Sequence, residues 1–241
     1  MGEPCAQDRE QIDTEKENAM TTMAMPRARK DAPIEGLMAR WYAGNTAEMM
    51  KEYVELAQRI AGELAPGSAV LEIAPGPGYF SIELARRGSY AITGVDLSHT
   101  FVQMAAKKAA EAGVQVKFVQ GSASNLPLPK ESFDFLLCRA AFKNFARPVE
   151  ALKEMRRVLK PGGRGVIIDL KGDASPGEIS RAVDGMGLTW FNRVMTKLAF
   201  RTMLLRRAYT RAQFEAMLAQ AGFGETRIDE SGIGLEITVV A

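Results

Sequence analysis

An α/β fold, doubly wound about a mostly parallel seven-stranded sheet with an antiparallel C-terminal hairpin, is what this sequence predicts, and three observations predict it. Short apolar runs alternate with stretches of helical periodicity between residues 69 and 170, the pattern that right-handed crossovers between parallel strands produce. Most of the runs are predominantly apolar rather than strictly alternating, as strands buried on both faces are. The last two runs are separated only by a short loop around Gly232-Ile233-Gly234, too short for a crossover and suited to a hairpin at the sheet edge.

The elements follow in order. Residues 1–20 hold six acidic and two basic residues and no aromatic, so residues 1–30 are read as a disordered leader ahead of a single domain over 31–241. In 34–65 the apolar Leu37, Trp41, Met49, Met50, Tyr53, Val54, Leu56, Ala57 and Ile60 recur mostly at three- and four-residue spacing, which suits one or two amphipathic helices ended by Pro66-Gly67. A strand at 69–74 leads through a glycine-rich turn into a helix carrying Phe80, Ile82, Leu84 and Ala85. The same unit recurs as a strand at 91–95, a helix at 98–112 ended by Gly113, and a strand at 114–119. A fourth strand spans 133–138, a helix 148–159 stops at Pro161-Gly162-Gly163, and a fifth strand spans 165–170. Helical character over 172–208 interrupts the rhythm and forms a lid at the carboxyl end of the sheet, where open α/β folds bind ligands. A helix at 211–221 and strands at 226–229 and 235–240 close the domain over 209–241.

Composition narrows the function. Lys plus Arg number 31 against 29 Asp plus Glu, a net charge of +2, which gives no case for a nucleic-acid partner. Cys5 and Cys138 are the only cysteines and His99 the only histidine, so neither a disulfide framework nor a structural zinc is encoded. No apolar stretch follows a basic start and no window reaches the roughly 18 apolar residues of a membrane span, so a cytoplasmic protein is expected.

The segment Glu72-Ile73-Ala74-Pro75-Gly76-Pro77-Gly78 stands between the first strand and its helix, where small residues let a ligand approach the backbone at a helix start. Asp96 ends the second strand, where an acidic side chain accepts hydrogen bonds from two ribose hydroxyls in nucleotide folds. With Gly94-Val95-Asp96-Leu97-Ser98, Gly121-Ser122-Ala123, Leu126-Pro127-Leu128-Pro129, Ser132-Phe133-Asp134 and Val158-Leu159-Lys160-Pro161-Gly162-Gly163, these motifs resemble class I S-adenosylmethionine-dependent methyltransferases. The ubiquinone/menaquinone-methyltransferase-like (methyltransferase type 11) subgroup looks closest.

The resemblance implies a Rossmann-like cofactor-binding core over 66–171 and S-adenosylmethionine as cofactor. It implies that Glu72 holds the methionine amino group, that the backbone of Ala74, Pro75, Gly76 and Gly78 passes along the cofactor, and that Asp96 holds the ribose. Leu97 would pack on adenine, with Ser122 and Ala123 bordering its edge and Arg139 touching cofactor or substrate. The cofactor has no pyrophosphate, so a carboxylate beside the turn is favourable where it would repel a phosphate. That argues against the alternative of a nicotinamide-dependent oxidoreductase, whose fingerprint is G-x-G-x-x-G.

Three positions depart from the family pattern: Ala74 replaces a glycine, Ser122 replaces an aspartate, and the strand-four exit reads Cys138-Arg139-Ala140-Ala141-Phe142-Lys143 without the usual histidine pair. No catalytic base is assigned among His99, Lys143 and Asp169. None is required if transfer is an in-line displacement from a neutral leaving group, where alignment supplies most of the acceleration. These departures also motivate a second alternative, a non-catalytic binding protein for the same cofactor. Cys138 reads as an inert core thiol, and the strand-four exit does not resemble the motif of enzymes that methylate adenine, cytosine N4 or glutamine.

The acceptor is expected to be a small apolar or aromatic molecule held by Trp41, Tyr42, Phe142 and Lys143, with Arg139 and Lys143 at the cleft exit either binding acidic groups or solvated. In the lid, Arg193, Lys197 and Arg201 recur every four residues, with Phe191, Val194, Met195 and Leu198 on the other side. The favoured reading turns the basic face to solvent and packs the apolar face on the domain, and rest on an anionic membrane surface is the less favoured one. The chain is expected to act as monomer or homodimer.

Overall fold

The computed structural model describes residues 30–46, 50–185, 190–200 and 204–241. The leader expected over residues 1–30 lies, save its last residue, outside them. Pro33–Ala241 forms one unit.

Seven strands make one sheet: β1 (Ala69–Ile73), β2 (Ala91–Asp96), β3 (Lys117–Gln120), β4 (Phe133–Arg139), β5 (Leu159–Leu170), β6 (Glu225–Ser231) and β7 (Gly234–Val240). Their order is β3-β2-β1-β4-β5-β7-β6. The first five are parallel, and β7 runs antiparallel between β5 and β6. The chain builds outward from β1 through β2 to β3, then restarts at β4 on the other side of β1. The carboxyl end of the β1–β4 boundary is therefore the switch point at which such sheets bind ligands.

The described helices are α1 (Gly36–Thr46), α2 (Met50–Ala61), α3 (Tyr79–Ala85), α4 (His99–Glu111), α5 (Pro148–Val158), α6 (Pro176–Asp184), α7 (Trp190–Ala199) and α8 (Arg211–Ala221). Successive strand residues point to opposite faces, and the apolar runs therefore feed two cores. Leu71, Leu136, Cys138 and Ile167 face a cluster with Leu152 and Met155 of α5 and Phe214 and Leu218 of α8. Val70, Phe135, Leu137 and Val166 face Leu56 and Ile60 of α2 with Phe80 and Leu84 of α3. Each such side chain contributes about 1.5–3 kcal/mol by leaving water, which is why runs without polar alternation settle in the middle of the sheet.

Two strand starts differ from expectation by three residues or more. β5 begins at Leu159 rather than 165, because Leu159 already pairs with Phe133 across a register shift that absorbs Pro161-Gly162-Gly163. β3 begins at Lys117 rather than 114, where its register with Thr93 of β2 starts.

The lid corrects the favoured sequence reading. Ile179 and Val183 of α6 pack with Phe200 and Leu205 in a third cluster. On α7, however, Trp190, Val194, Met195 and Leu198 are exposed, while Arg193 and Lys197 reach Asp184 at the end of α6, at 3.5 and 3.0 Å. Asp184 draws the two cations inward, so the apolar side of α7 faces out. No helix among the described residues is long and apolar enough to cross a membrane.

Candidate functional site

Register brings the site together. Glu72 stands opposite Gly94 and Leu137, and Arg139 stands opposite Ile168, so Glu72, Asp96, Arg139 and Asp169 share the carboxyl edge of four neighbouring strands.

Beyond β1 the chain turns on alternate left-handed residues, Ala74 (φ 56°), Gly76 (φ 53°) and Gly78 (φ 80°). A Cβ on Gly78 would lie 2.9 Å from the Ala105 Cβ and 3.0 Å from the Phe118 ring, whereas one on Gly76 would meet nothing within 4 Å. Gly78 is thus fixed by packing of the turn on α4 and β3, and Gly76 by a backbone surface open to a ligand. Ala74 takes the same left-handed conformation with a side chain, at a cost of about 1 kcal/mol. The turn keeps its shape, with the Ala74 N–H donating to the Val95 carbonyl at 2.8 Å.

Glu72 is buried, 3% exposed. Its Oε2 accepts from the backbone N–H of Ser81 at 3.1 Å and from the Ser81 hydroxyl at 2.5 Å, which ties the carboxylate to the first turn of α3. Burial pushes its pKa up to about 7, against the Ser81 hydrogen bonds and the Arg139 charge that favour ionisation. Oε1 keeps its lone pairs for a cationic donor.

Asp96, also buried, accepts from the Gly76 N–H at 3.0 Å through Oδ2 and from the Ser98 N–H at 2.9 Å through Oδ1. Each oxygen retains capacity for a further donor such as a hydroxyl. Burial raises its pKa too. Leu97 is half-buried and its carbonyl accepts from the Gln120 amide. Ser122 braces its own loop, accepting from the Ser124 N–H at 3.3 Å, and Ala123 packs against the core.

Arg139 is not solvated. Its guanidinium lies 4.4 Å from the centre of the Tyr53 ring and pairs with Glu52 of α2. Tyr42 of α1 packs edge-on against Phe101 at 5.8 Å. Burial raises its phenol pKa, with the Arg139 charge acting against that and the Asp96 and Asp169 charges adding to it. Tyr53 is pushed up to about 12, again by burial. Trp41 lies on α1, but its side chain is outside what the structure describes.

A strap before α1 closes the adenosine side expected beyond Asp96. The Ser98 hydroxyl donates to the Ile34 carbonyl at 2.7 Å, and Glu35 accepts from the N–H groups of His99 and Thr100 at 2.9 and 3.0 Å. A carboxylate at a helix N-terminus is favourable, and the Thr100 hydroxyl holds Glu35 below the usual carboxylate range. Tyr79 donates to the Ala43 carbonyl at 2.9 Å, linking the start of α3 to α1.

Two other expectations are corrected. Phe142 is fully buried in a ring cluster with Phe145, Tyr209 and Phe214 at 5.4, 5.8 and 5.0 Å, so it is core, out of an acceptor's reach. Lys143 is buried as well, its Nζ 2.9 Å from Asp169 Oδ1. Ala140 (φ 57°) turns the chain after β4 back into the domain, which carries both side chains inward. His99, to which no catalytic role is assigned, is exposed at the start of α4 and hydrogen-bonds Gln103 one turn on. Cys138 is buried with its thiol pKa raised well above normal, as expected of a core thiol. Among the described residues no cluster of acidic, histidine and cysteine side chains could hold a metal.

Glu35, Glu52, Tyr53, Tyr79 and Ser81 were not singled out by sequence reasoning. Only Tyr53 carried a signal, as an apolar position of a helix read as packing.

The arrangement suits a ligand with a cationic amine at one end and a diol at the other, lying along the backbone of Gly76. The family described as "Methyltransferase domain" matches residues 71–167. A demethylmenaquinone methyltransferase of Deinococcus radiodurans is 40% identical over 107 residues, 44% of each chain. The solved structure of the YcgJ protein of Bacillus subtilis superposes with a TM-score of 0.57 at 26% identity, covering 75% of this chain and 71% of that one. A SAM-dependent methyltransferase structure from Aquifex aeolicus, at 20% identity and TM-score 0.59 over 76% of this chain and 88% of that one, shares the class I fold. The chain thus spans under half the length of the Deinococcus relative it matches.

Proposed function

We infer that this chain, whose residues 71–167 match a family described as a methyltransferase domain, is an S-adenosylmethionine-dependent enzyme that transfers a methyl group to a small aromatic acceptor of the hydroquinone type. The observation that carries the reading is the pair of buried carboxylates, Glu72 and Asp96, on either side of a left-handed turn whose Gly76 opens onto space. The residues fit the cofactor: a buried acid with a spare oxygen for its amino group and a second acid for its ribose. The sulfonium supplies a methyl group on a neutral leaving group.

The rest of the work falls to the chain. In this reading residues 34–65 cap the cleft, 66–171 hold the cofactor, 172–208 form the lid and 209–241 complete the sheet. Glu72, Ala74, Pro75, Gly76, Gly78 and Asp96 would fix the cofactor, with Leu97, Ser122 and Ala123 around the adenine. Tyr42, Tyr53 and Trp41 would exclude water and orient the acceptor ring, and Arg139 would sit beside its hydroxyl. A hydroxyl next to a guanidinium ionises more readily, giving its proton to solvent before the acceptor is enclosed. The ring carbon of the phenolate then takes the methyl group, and the hydrogen on that carbon leaves as a proton to solvent, restoring the aromatic ring. The names of relatives such as the demethylmenaquinone methyltransferase of Deinococcus support a quinone-like acceptor. The partner is then a small molecule and not nucleic acid, and the chain acts in the cytoplasm as monomer or homodimer.

Incubation with methyl-labelled S-adenosylmethionine and a panel of hydroquinones, catechols and amines tests this. Label on a ring carbon of a hydroquinone is expected. Label confined to amines, or thermal stabilisation by NAD and not by S-adenosylhomocysteine, overturns it.

Glu72 also makes binding pH-dependent. Its folded pKa of about 7 lies above the ordinary value of 4.5, so the stability linked to it is fully present below 4.5 and is lost as pH rises through 7. An ammonium group beside it favours the ionised form, so cofactor binding below pH 7 must release a proton. Affinity is expected to rise about tenfold between pH 6 and pH 8. Calorimetry in buffers of different ionisation enthalpy counts that proton. It should vanish in Glu72→Gln.

A further inference from the structure

The lid leaves and rejoins the sheet at one point, where Lys171 bridges Tyr209 beside the end of β5. Its helix α7 carries Trp190, Val194, Met195 and Leu198 at 76, 49, 49 and 52% exposure. At 100° per residue these four fall within an arc of about 140°, a continuous apolar stripe turned outward. From residue 185 to 208 the sequence has five Arg and Lys (Arg193, Lys197, Arg201, Arg206, Arg207) and no Asp or Glu. Arg193 and Lys197 flank the stripe on the side facing Asp184 and stay part-exposed, at 41 and 28%.

We propose that α7 docks the protein on an anionic lipid bilayer, its stripe entering the boundary between headgroups and acyl chains and Arg193 and Lys197, beside the stripe, resting among the lipid phosphates. The charge decides the occupant: with Asp184 counted against the five cations, residues 184–208 keep a net charge of +4, which suits a surface of fixed negative charge. A second copy of the chain would set two such cationic segments against each other. Trp190, at the N-terminal end of the stripe, is the amphipathic residue that settles at a membrane interface. Docking does not depend on methyl transfer. It goes beyond the proposed function by placing the carboxyl edge of the sheet, where the lid is rooted, at the surface into which an apolar acceptor partitions.

Co-sedimentation with phosphatidylcholine vesicles, with and without about one third phosphatidylglycerol, tests it at low and high salt. Binding at least roughly tenfold stronger to the anionic vesicles, weakened by salt, is expected. Brominated lipids should quench tryptophan emission in the parent and much less in Trp190→Phe. Val194→Glu and Met195→Glu should each cut vesicle affinity roughly tenfold, with melting temperature and the shift on adding S-adenosylhomocysteine unchanged. Those positions are already exposed to water, so they fold in either case. Equal or negligible binding to both vesicle types overturns the proposal. So does binding that Val194→Glu leaves intact, or a solution dimer that Val194→Glu dissociates while vesicles capture neither form. A missing S-adenosylhomocysteine shift in the parent would instead strike the methyltransferase reading and leave the vesicle result standing.

Discussion

Asp96→Ala is expected to weaken binding of S-adenosylhomocysteine by about two orders of magnitude and to abolish the thermal shift it causes. A hydrogen bond to a charged group contributes about 1.5–3 kcal/mol, and the ribose offers two hydroxyls to one carboxylate. A loss of about 3 kcal/mol corresponds to roughly 150-fold in affinity. The same substitution strips the Gly76 and Ser98 N–H groups of their acceptors at 3.0 and 2.9 Å, so the ligand turn loosens as well. Asp96→Asn separates the two effects. One amide oxygen remains to accept, while the NH₂ group faces either the turn or the ribose as a donor, so an intermediate loss of about tenfold is expected. Calorimetry beside a urea melt distinguishes them. An Asp96→Ala protein that binds within threefold of the parent would remove Asp96 from the site.

Asp96 was legible in the sequence because its meaning is local: an acid at the end of an apolar run, a fixed distance after a glycine turn. So were the sheet and its helices, since strands buried on both faces read as predominantly apolar runs. Glu35 was not legible because its partner Thr100 is remote in sequence, and Ser81 was not because nothing at that position announces that it reaches back across the turn to Glu72. Arg139 was found, but its seat over Tyr53 and against Glu52 required α2 to be placed first. The orientation of α7 was misread for a related reason. Periodicity says that a helix has two faces, but which one turns inward is set by what the neighbouring element offers. Asp184 offers an anion. Phe142 and Lys143 were assigned to the acceptor because they follow a strand tip, where cleft residues belong. A left-handed Ala140, which no side chain at that position advertises, sends them into the core instead.

That inward turn is itself testable through Lys143→Met. Asp169 is 1% exposed at its side chain and Lys143 10%. The ammonium donates to Asp169 Oδ1 at 2.9 Å and to the Ala140 carbonyl, while the Lys143 N–H donates to Oδ2 at 2.9 Å. Replacing the lysine leaves a buried carboxylate with backbone donors but no counter-charge, and removing one partner of a buried pair costs about 3–5 kcal/mol. For a domain whose total stability is about 5–15 kcal/mol, that is the largest loss expected of a conservative-volume change here, and a urea midpoint reads it directly. The double variant Lys143→Met with Asp169→Asn removes the uncompensated charge and keeps an acceptor for the backbone N–H. It should recover most of the loss. If Lys143→Met matches the parent within about 1 kcal/mol, the pair does not hold the strand-four exit. If the double variant is as unstable as the single one, packing rather than charge is what the lysine supplies. Asp169 also acts electrostatically on Tyr42, so a double variant that folds yet loses turnover at unchanged cofactor affinity would mean that this buried carboxylate tunes the acceptor side of the cleft from beneath it.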